Sequence, residues 1–366
     1  MKQVVVSIGD CKRLQDLLRS FEGLYLTCVV NRDQTFFCSS SMECYCHYSL
    51  TNISRENFDE MLIFRVPLKV FKNLVTEGTL VITISDDGDV EFKFSKYSFT
   101  FPLQYDVSDE IAAKLRVIMS MKSYPTVSLD GLDDIIHIGR LLNKDIIFND
   151  DIVFIQCPNM QIYKKKKVSR FTLSPKYLAL LCKYSYIVYN VGNYIGCVDE
   201  NVAILVTKLR SFGTCDSDFI TSQKTYYAIK FNIDNMIRLI KKVSLNDGIL
   251  ELDFNKRSCL FDTEKISFKT DIDILDVKTR EDVKVMPKVD FLSMIGKDLS
   301  NGLDLSEIRE KSYIPSVIVP SSVAKFLGCL RIQNCILYVK KNYLVLRSGD
   351  LNVIFKGLKE PLERNK

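Results

Sequence analysis

Histidine occurs twice in the chain, as His47 and His137, so a Ser-His-Asp relay or a metal site of several imidazoles has almost no material. His47 closes the run CYCH at Cys44–His47. A metal site built on it would want a second ligand pair, and the sequence has no C-x-x-C. Strand alternation puts Cys44 and Cys46 on one face, the placement of core side chains. The carboxylate pairs Asp133–Asp134 and Asp150–Asp151 are the kind that hold magnesium in nucleases, but they fit the cap of a helix and a turn better. Phosphate-cradling loops of the GxxxxGK[ST] or GxGxxG kind are missing, and only 15 glycines are available to build others. No enzyme and no cofactor is expected.

What remains is positive charge at helical spacing. In the first amphipathic stretch Leu14, Leu17, Leu18 and Phe21 form the apolar stripe, and Lys12 and Arg19 lie across from it. Lys69 and Lys72, with Asn73, stand opposite Phe71, Leu74 and Val75. Lys176 and Lys183 repeat the pattern, as do Arg140 and Lys144. Arg238, Lys241 and Lys242, beside Asp234, stand opposite Ile233, Met236, Ile237 and Ile240. Lys325 and Arg331 stand opposite Val323, Phe326, Leu327 and Leu330. One such face merely keeps a protein soluble. Repeated on every helix, with acids gathered on strands (Asp86, Asp87, Asp89, Glu91, Asp199, Glu200), the faces imply a positive surface made of helices. It would meet phosphates without reading bases, and flexible lysines suit sliding better than bidentate locking. The run Lys164–Lys167 adds a basic loop.

The elements that carry these cations repeat. Five segments open with an apolar strand, pass a helix-starting residue and run one amphipathic helix: VVVSIGDCKRLQDLLRSF, MLIFRVPLKVFKNLV, SRFTLSPKYLALLCKYS, YYAIKFNIDNMIRLIKKV and YIPSVIVPSSVAKFLGCL. The junctions are Asp10, Pro67, Ser174 with Pro175, Asn232 or Asp234, and Pro320 with Ser321, residues that cap or begin helices. Alternating strands follow, as in TLVITISDDGDVEFKFSKYSFTF, GILELDFNKRSCLFDTEKISFKTDI and CILYVKKNYLVLRSGDLNVIFKGL, with a hairpin turn at Asp86–Asp89. A sixth copy reads through TVSLDGLDDIIHIGRLLNKDIIFNDDIVFIQCPNMQIYKKKK. Asp276 to Ser312 fits no copy and reads as a connection with a helix around Phe291 to Leu299. Pairing adjacent copies divides the chain into 1–122, 123–223 and 224–366, each with two helices on sheet, an α+β architecture of β-α-β-hairpin units.

Composition agrees: 47% hydrophobic and 26% charged residues describe a globular chain with several cores. No apolar run reaches the roughly 20 residues of a membrane span, so a soluble, cytoplasmic protein is expected. Its 12 scattered cysteines read as free thiols, with Cys28, Cys182, Cys329 and Cys335 acting as small hydrophobes. The net charge of +5 permits nucleic-acid binding without requiring it.

Two such units per domain and three domains per chain resemble the bacterial β-type DNA sliding clamp over nearly the whole length. The likeness is carried by VPLKVFKNLV before LVITISDDGDVEFKFSKYSFTF and by IKFNIDNMIRLIKKV before ILELDFNKRSCLFDTEKISFKTDI. It implies a head-to-tail ring with helices lining the hole and antiparallel sheets outside, encircling double-stranded DNA irrespective of sequence. Six units per chain imply a homodimer. The implied partners are a DNA polymerase and a clamp loader, in the cytoplasm or the replication compartment of an infected cell, since a divergent clamp without tryptophan could be that of a phage or virus. In the family, partner peptides enter a cleft near the C-terminus, to which Val353, Ile354, Phe355 and Leu358 correspond here. The chain departs from the family by continuing as KEPLERNK and by lacking the Thr-Asp-Gly-His-Arg-Leu turn. A second alignment takes 171–272 as the middle domain, lets Thr207–Phe212 stand for that turn and brings Met286 and Pro287 to the cleft. The rival reading is a clamp-like adaptor that binds proteins without enclosing DNA. A nuclease using Asp150 and Asp151 is the weakest of the three.

Overall fold

The computed structural model of the chain describes residues 1–21, 23–56, 61–105, 109–158, 160–210, 213, 215, 225–232, 234–235, 238, 249–262, 267–279, 316–319, 334–340 and 343–356. They form two compact units, Met1–Ile136 with Val168–Ser211, and His137–Lys167 with Phe212–Lys366. The first is built on an antiparallel sheet running Ser98–Pro102, Asp89–Lys93, Gly78–Ile84, Lys2–Ile8, Cys44–Glu56, Val202–Thr207, Tyr194–Asp199, Ile187–Val191, Thr126–Ser128, with Gln34–Ser40, Tyr25–Val30 and Leu62–Pro67 branching from Cys44–Glu56. In the second, one sheet contains, in order, Ile146–Asn149, Ile152–Cys157, Met160–Lys165, Leu351–Phe355, Leu344–Ser348, Asn334–Lys340, Thr225–Asn232, Asp273–Thr279, and a smaller one runs Ser267–Asp271, Ser258–Asp262, Ile249–Asp253, Val317–Val319.

Five helices are described: α1 (Cys11–Ser20), α2 (Leu68–Leu74), α3 (Asp109–Ser120), α4 (Asp133–Leu142) and α5 (Pro175–Tyr184). Their starts follow the junction chemistry. The Asp10 carboxylate accepts from the Arg13 amide at 2.8 Å, satisfying one of the open N–H groups of α1. Pro175 occupies the first turn of α5, where its missing N–H costs nothing. The Asp234 amide donates to the Asn232 side chain at 2.8 Å, so Asn232 supplies the cap there. The Asp86–Asp89 hairpin turns through Gly88 at φ +87°, a conformation that glycine reaches without steric cost. The sixth copy has its helix, α4, followed by three strands. The segment around Phe291 to Leu299 lies outside the described residues.

The two faces of the first unit's sheet are separately covered. Phe37 pairs with Tyr48, and Cys46 lies two residues along, so these three share a face. Phe37 meets Phe71 of α2 at a ring distance of 4.5 Å, and the Tyr48 hydroxyl donates to the carbonyl of Asp10 at the start of α1. The opposite face carries Tyr45, His47, Phe36 and Cys38, and here α3 packs, contributing Ile111 and Ile118 to a core with Val29, Cys38, Tyr45, Ala203 and Leu205. Lys114 of α3 is buried yet bonded, donating to Ser40 Oγ at 2.9 Å, the Ser41 carbonyl at 3.0 Å and Glu110 at 2.5 Å. Gly196 lies under this helix end; a Cβ there would stand 2.8 Å from the Met121 methyl and 2.6 Å from the Ile204 carbonyl.

His47, only 6% exposed, is held by the Tyr45 hydroxyl at 3.1 Å from Nδ1 and lies edge-on to Phe36 at 5.1 Å. Burial pushes its pKa down to about 4, against about 6.5 in an unfolded chain. Below 6.5 the unfolded state takes up a proton that the folded state refuses until about 4, so stability falls with pH across that window. Between pH 7.5 and 4.5 the native protein is expected to lose about 2.5 kcal/mol more than His47→Gln, measured by urea unfolding at both pH values. Parallel losses in the two proteins would refute this origin of acid sensitivity.

The cysteines among the described residues are all free; Cys28 and Cys335 are buried and Cys182 half-buried, while Cys329 lies outside those residues. Cys44 and Cys46 share a face, their sulfurs 3.4 Å apart. Among the described residues no group of ligands could hold a metal ion, and no helix is long and apolar enough to cross a membrane.

Candidate nucleic-acid interface

In α1 the residues Leu14, Leu17 and Leu18 are buried, which leaves Lys12 and Arg19 exposed on the far side. On one flank, Cys11 Sγ and Gln15 Nε2 both donate to the Val75 carbonyl just past α2, at 3.4 and 3.0 Å. On the other, Lys183 of α5 reaches Asp16 at 3.2 Å. Helices α2, α1 and α5 therefore lie in a row on the face that holds Phe37, Tyr48 and Cys46. Lys69 on α2 is exposed and Lys72 half-buried, and on α5 Lys176 and Lys183 are exposed.

Within the row these six cations are set against Asp16. Arg19 donates to it at 3.1 Å, and the hydrogen bond from Lys183, with that ammonium's charge, holds its carboxyl below the usual range. Asp16 thus spaces two cations at the junction of α1 and α5. Lys176 lies 5.1 Å from the Tyr177 ring centre and Lys183 5.8 Å from that of Tyr184, contacts that hold the stems along apolar surface. The row offers flexible ammonium groups without a shaped pocket, an arrangement suited to phosphate oxygens and not to base edges.

Arg13 had no place in the sequence-based set. It pairs with Asp199 and, at 3.1 Å, with Glu200, and lies 5.9 Å from the Tyr184 ring centre. Two acids assigned to strands are thereby drawn to a helix of the row and neutralise one of its cations. Strand position alone carries no signal for this contact, because the partners are 186 and 187 residues apart.

The remaining cations divide. Arg140 of α4 and Lys144 just past it are exposed, as is Arg238. Lys241, Lys242, Lys325 and Arg331 lie outside the described residues, and so does Leu358 among the residues assigned to a partner cleft. Val353, Ile354 and Phe355 are all buried. Ile354 joins Ile147, Phe154, Tyr163 and Val345 in one cluster. Val353 and Phe355 alternate to the other side of their strand, with Val353 opposite Ile162 and Leu346.

No protein-family model matches the chain, and no curated protein matches it in sequence. Its structure is similar to a putative DNA polymerase III beta subunit from Eubacterium rectale (TM-score 0.67, 10% identity, 98% of this chain and 100% of that one). It is equally similar to the DNA polymerase sliding clamp of Bacillus subtilis (TM-score 0.67, 10% identity, 98% and 99% covered). A Helicobacter pylori beta clamp bound to a DNA ligase peptide follows (TM-score 0.63, 14% identity, 98% and 100% covered). The fold is that of the β-type sliding clamp, and at these identities the likeness speaks for the fold alone.

Proposed function

We propose that this chain is a DNA sliding clamp, a non-enzymatic processivity factor that encircles duplex DNA and tethers a DNA polymerase. The observation that carries the proposal is a clamp fold in which three adjacent helices, α2, α1 and α5, present Lys12, Arg19, Lys69, Lys72, Lys176 and Lys183 from one sheet face. Contacts of this kind exchange counterions without selecting bases, so retention on DNA rests on ring closure and the contacts stay weak enough to slide. In this reading the chain has domains at 1–122, 123–223 and 224–366, and two copies close head to tail, loaded by a clamp loader in the cytoplasm or an infected cell's replication compartment. Arg140, Lys144, Arg238, Lys241, Lys242, Lys325 and Arg331 complete the inner surface, and Val353, Ile354, Phe355 and Leu358 support the cleft for partner peptides.

Threading tests the ring. The protein is incubated with linear duplex, both ends are then blocked with streptavidin, and the DNA is washed in high salt. A clamp stays on the blocked duplex, falls off when one end is freed by cutting, and behaves alike on unrelated sequences. Loss in the salt wash whether or not the ends are blocked would leave the adaptor reading in its place.

A further inference from the structure

The main sheet of the second unit carries a concavity of 460 Å³ on one face. Its register brings distant residues together: Tyr163 is opposite Asn352, Asn352 opposite Arg347, and Val345 opposite Tyr338. Alternation adds Lys165 and Lys340 to the same side, whereas Leu337, Val339, Leu346 and Val353 point the other way into the core. Lys165, Lys340 and Arg347 all line the concavity, with Asp350 as the carboxylate among its lining residues. That carboxylate already stands 3.7 Å from Lys164, so the local balance is strongly positive.

The cations are held in different ways. Arg347 is exposed and its Nε donates to the Gly349 carbonyl at 3.1 Å, which steadies the guanidinium beside the turn that Gly349 makes at φ +58°. Lys165 is exposed at the rim. Lys340 is only 5% exposed, and burial draws its pKa below the ordinary lysine value. An incoming carboxylate would restore to this ammonium the charge stabilisation that burial removes. Tyr163, Tyr338 and Val345 supply apolar wall between the charges.

The geometry points to a binding site for an acidic segment of a partner protein, one carboxylate side chain seated among Lys165, Lys340 and Arg347 and a neighbouring apolar side chain against Tyr338 and Val345. The volume falls within the range of pockets that take a few side chains and is far too small for a duplex, which favours a peptide over DNA. The assignment rests on the reading of the chain as a tether for other proteins. It adds a charge requirement to the motif that is tethered.

Calorimetry on the full-length chain separates the possibilities. The probes are a synthetic hexapeptide carrying Asp-Glu-Leu-Phe, its Asn-Gln-Leu-Phe counterpart, and inorganic phosphate. The acidic peptide is expected to bind at least tenfold more tightly than the amide one, and K165E/R347E, changed only at exposed positions, to lose at least tenfold while melting at the native temperature. Equal affinities for the two peptides, no binding of the acidic one, or undiminished binding to K165E/R347E would overturn the site. Phosphate binding without peptide discrimination would overturn it too, as a site for an adventitious ion only. K12E/K69E/K176E should bind the acidic peptide as the native chain does. A chain that fails to stay on blocked DNA yet prefers the acidic peptide keeps this site and loses the clamp reading, and the reverse pattern does the opposite.

Discussion

Changing Lys12, Lys69 and Lys176 together to glutamate weakens binding to random duplex DNA by roughly 30- to 1000-fold at low salt. The three residues sit on adjacent helices, one each on α1, α2 and α5, and all are exposed, so the change leaves the apolar stripes intact. Removing one exposed lysine–phosphate pair costs about 0.2–1 kcal/mol, and the repulsion put in its place costs a similar amount, about 2–4 kcal/mol over the three sites. The plot of log affinity against log salt should flatten by about three, since each neutralised phosphate adds roughly 0.9 to its slope. Fluorescence anisotropy across a potassium chloride series reads both quantities. Lys93 and Lys96, exposed on and beside a sheet strand, make the control: reversing them alters net charge comparably and should move affinity far less. If both variants lose affinity equally, the effect is one of net charge and the helix row is not the DNA surface. If neither loses any, the chain does not use this row on DNA.

Phe92→Ala is expected to cost the first unit about 3–5 kcal/mol. Phe92 is fully buried at the centre of a ring of aromatics, with centroids 5.4 Å from Phe99, 5.5 Å from Phe101, 5.7 Å from Phe71, 6.2 Å from Phe37 and 6.3 Å from Phe64. Its neighbours come from separate strands and from α2, so no single shift closes the space that truncation leaves, and both transfer and cavity penalties apply. Domains of ordinary stability have about 5–15 kcal/mol in total, which puts the variant near unfolding at 37 °C. Urea unfolding should show a lower midpoint with an unchanged slope, while Lys93→Ala next along the strand stays within about 0.5 kcal/mol. Because α2 rests on this cluster through Phe71, weaker packing there also loosens the seat of Lys69 and Lys72. A midpoint shift under 1 kcal/mol would mean that the cluster can collapse around the gap.

Much of the fold was legible because the signals that specify it are local. Asp10 and Pro175 start their helices by satisfying or lacking an N–H within one turn, and Leu14, Leu17 and Leu18 recur at the helical period, so a few neighbouring residues decide the outcome. The α3 helix is hidden in the sequence, although Asp109 and Glu110 in its first turn and Ile111, Leu115 and Ile118 at helical spacing are signals for it. The buried face of α3 includes Lys114, and a cation on an apolar stripe masks the period. That lysine is tolerated because Ser40, Ser41 and Glu110 receive its hydrogen bonds, and two of those three partners belong to the end of a strand more than seventy residues away.

The sequence by itself determined the repeat, the alternation of each strand and the cationic side of each helix, because periods of 2 and 3.6 sort side chains by face within a single element. Tertiary structure alone decided which faces meet. Pairing of Cys44–Tyr48 with Val202–Val206 joins the strands beneath α1 and α5 and so makes one surface of helices that are distant in the chain. The same assembly took Arg13 out of that surface by bringing Asp199 and Glu200 against it, buried His47 under α3, and gathered Lys165, Lys340 and Arg347 around one concavity. Strand register is chosen by apolar burial summed over the whole sheet. The charge neighbours that follow from it are therefore written in no one segment.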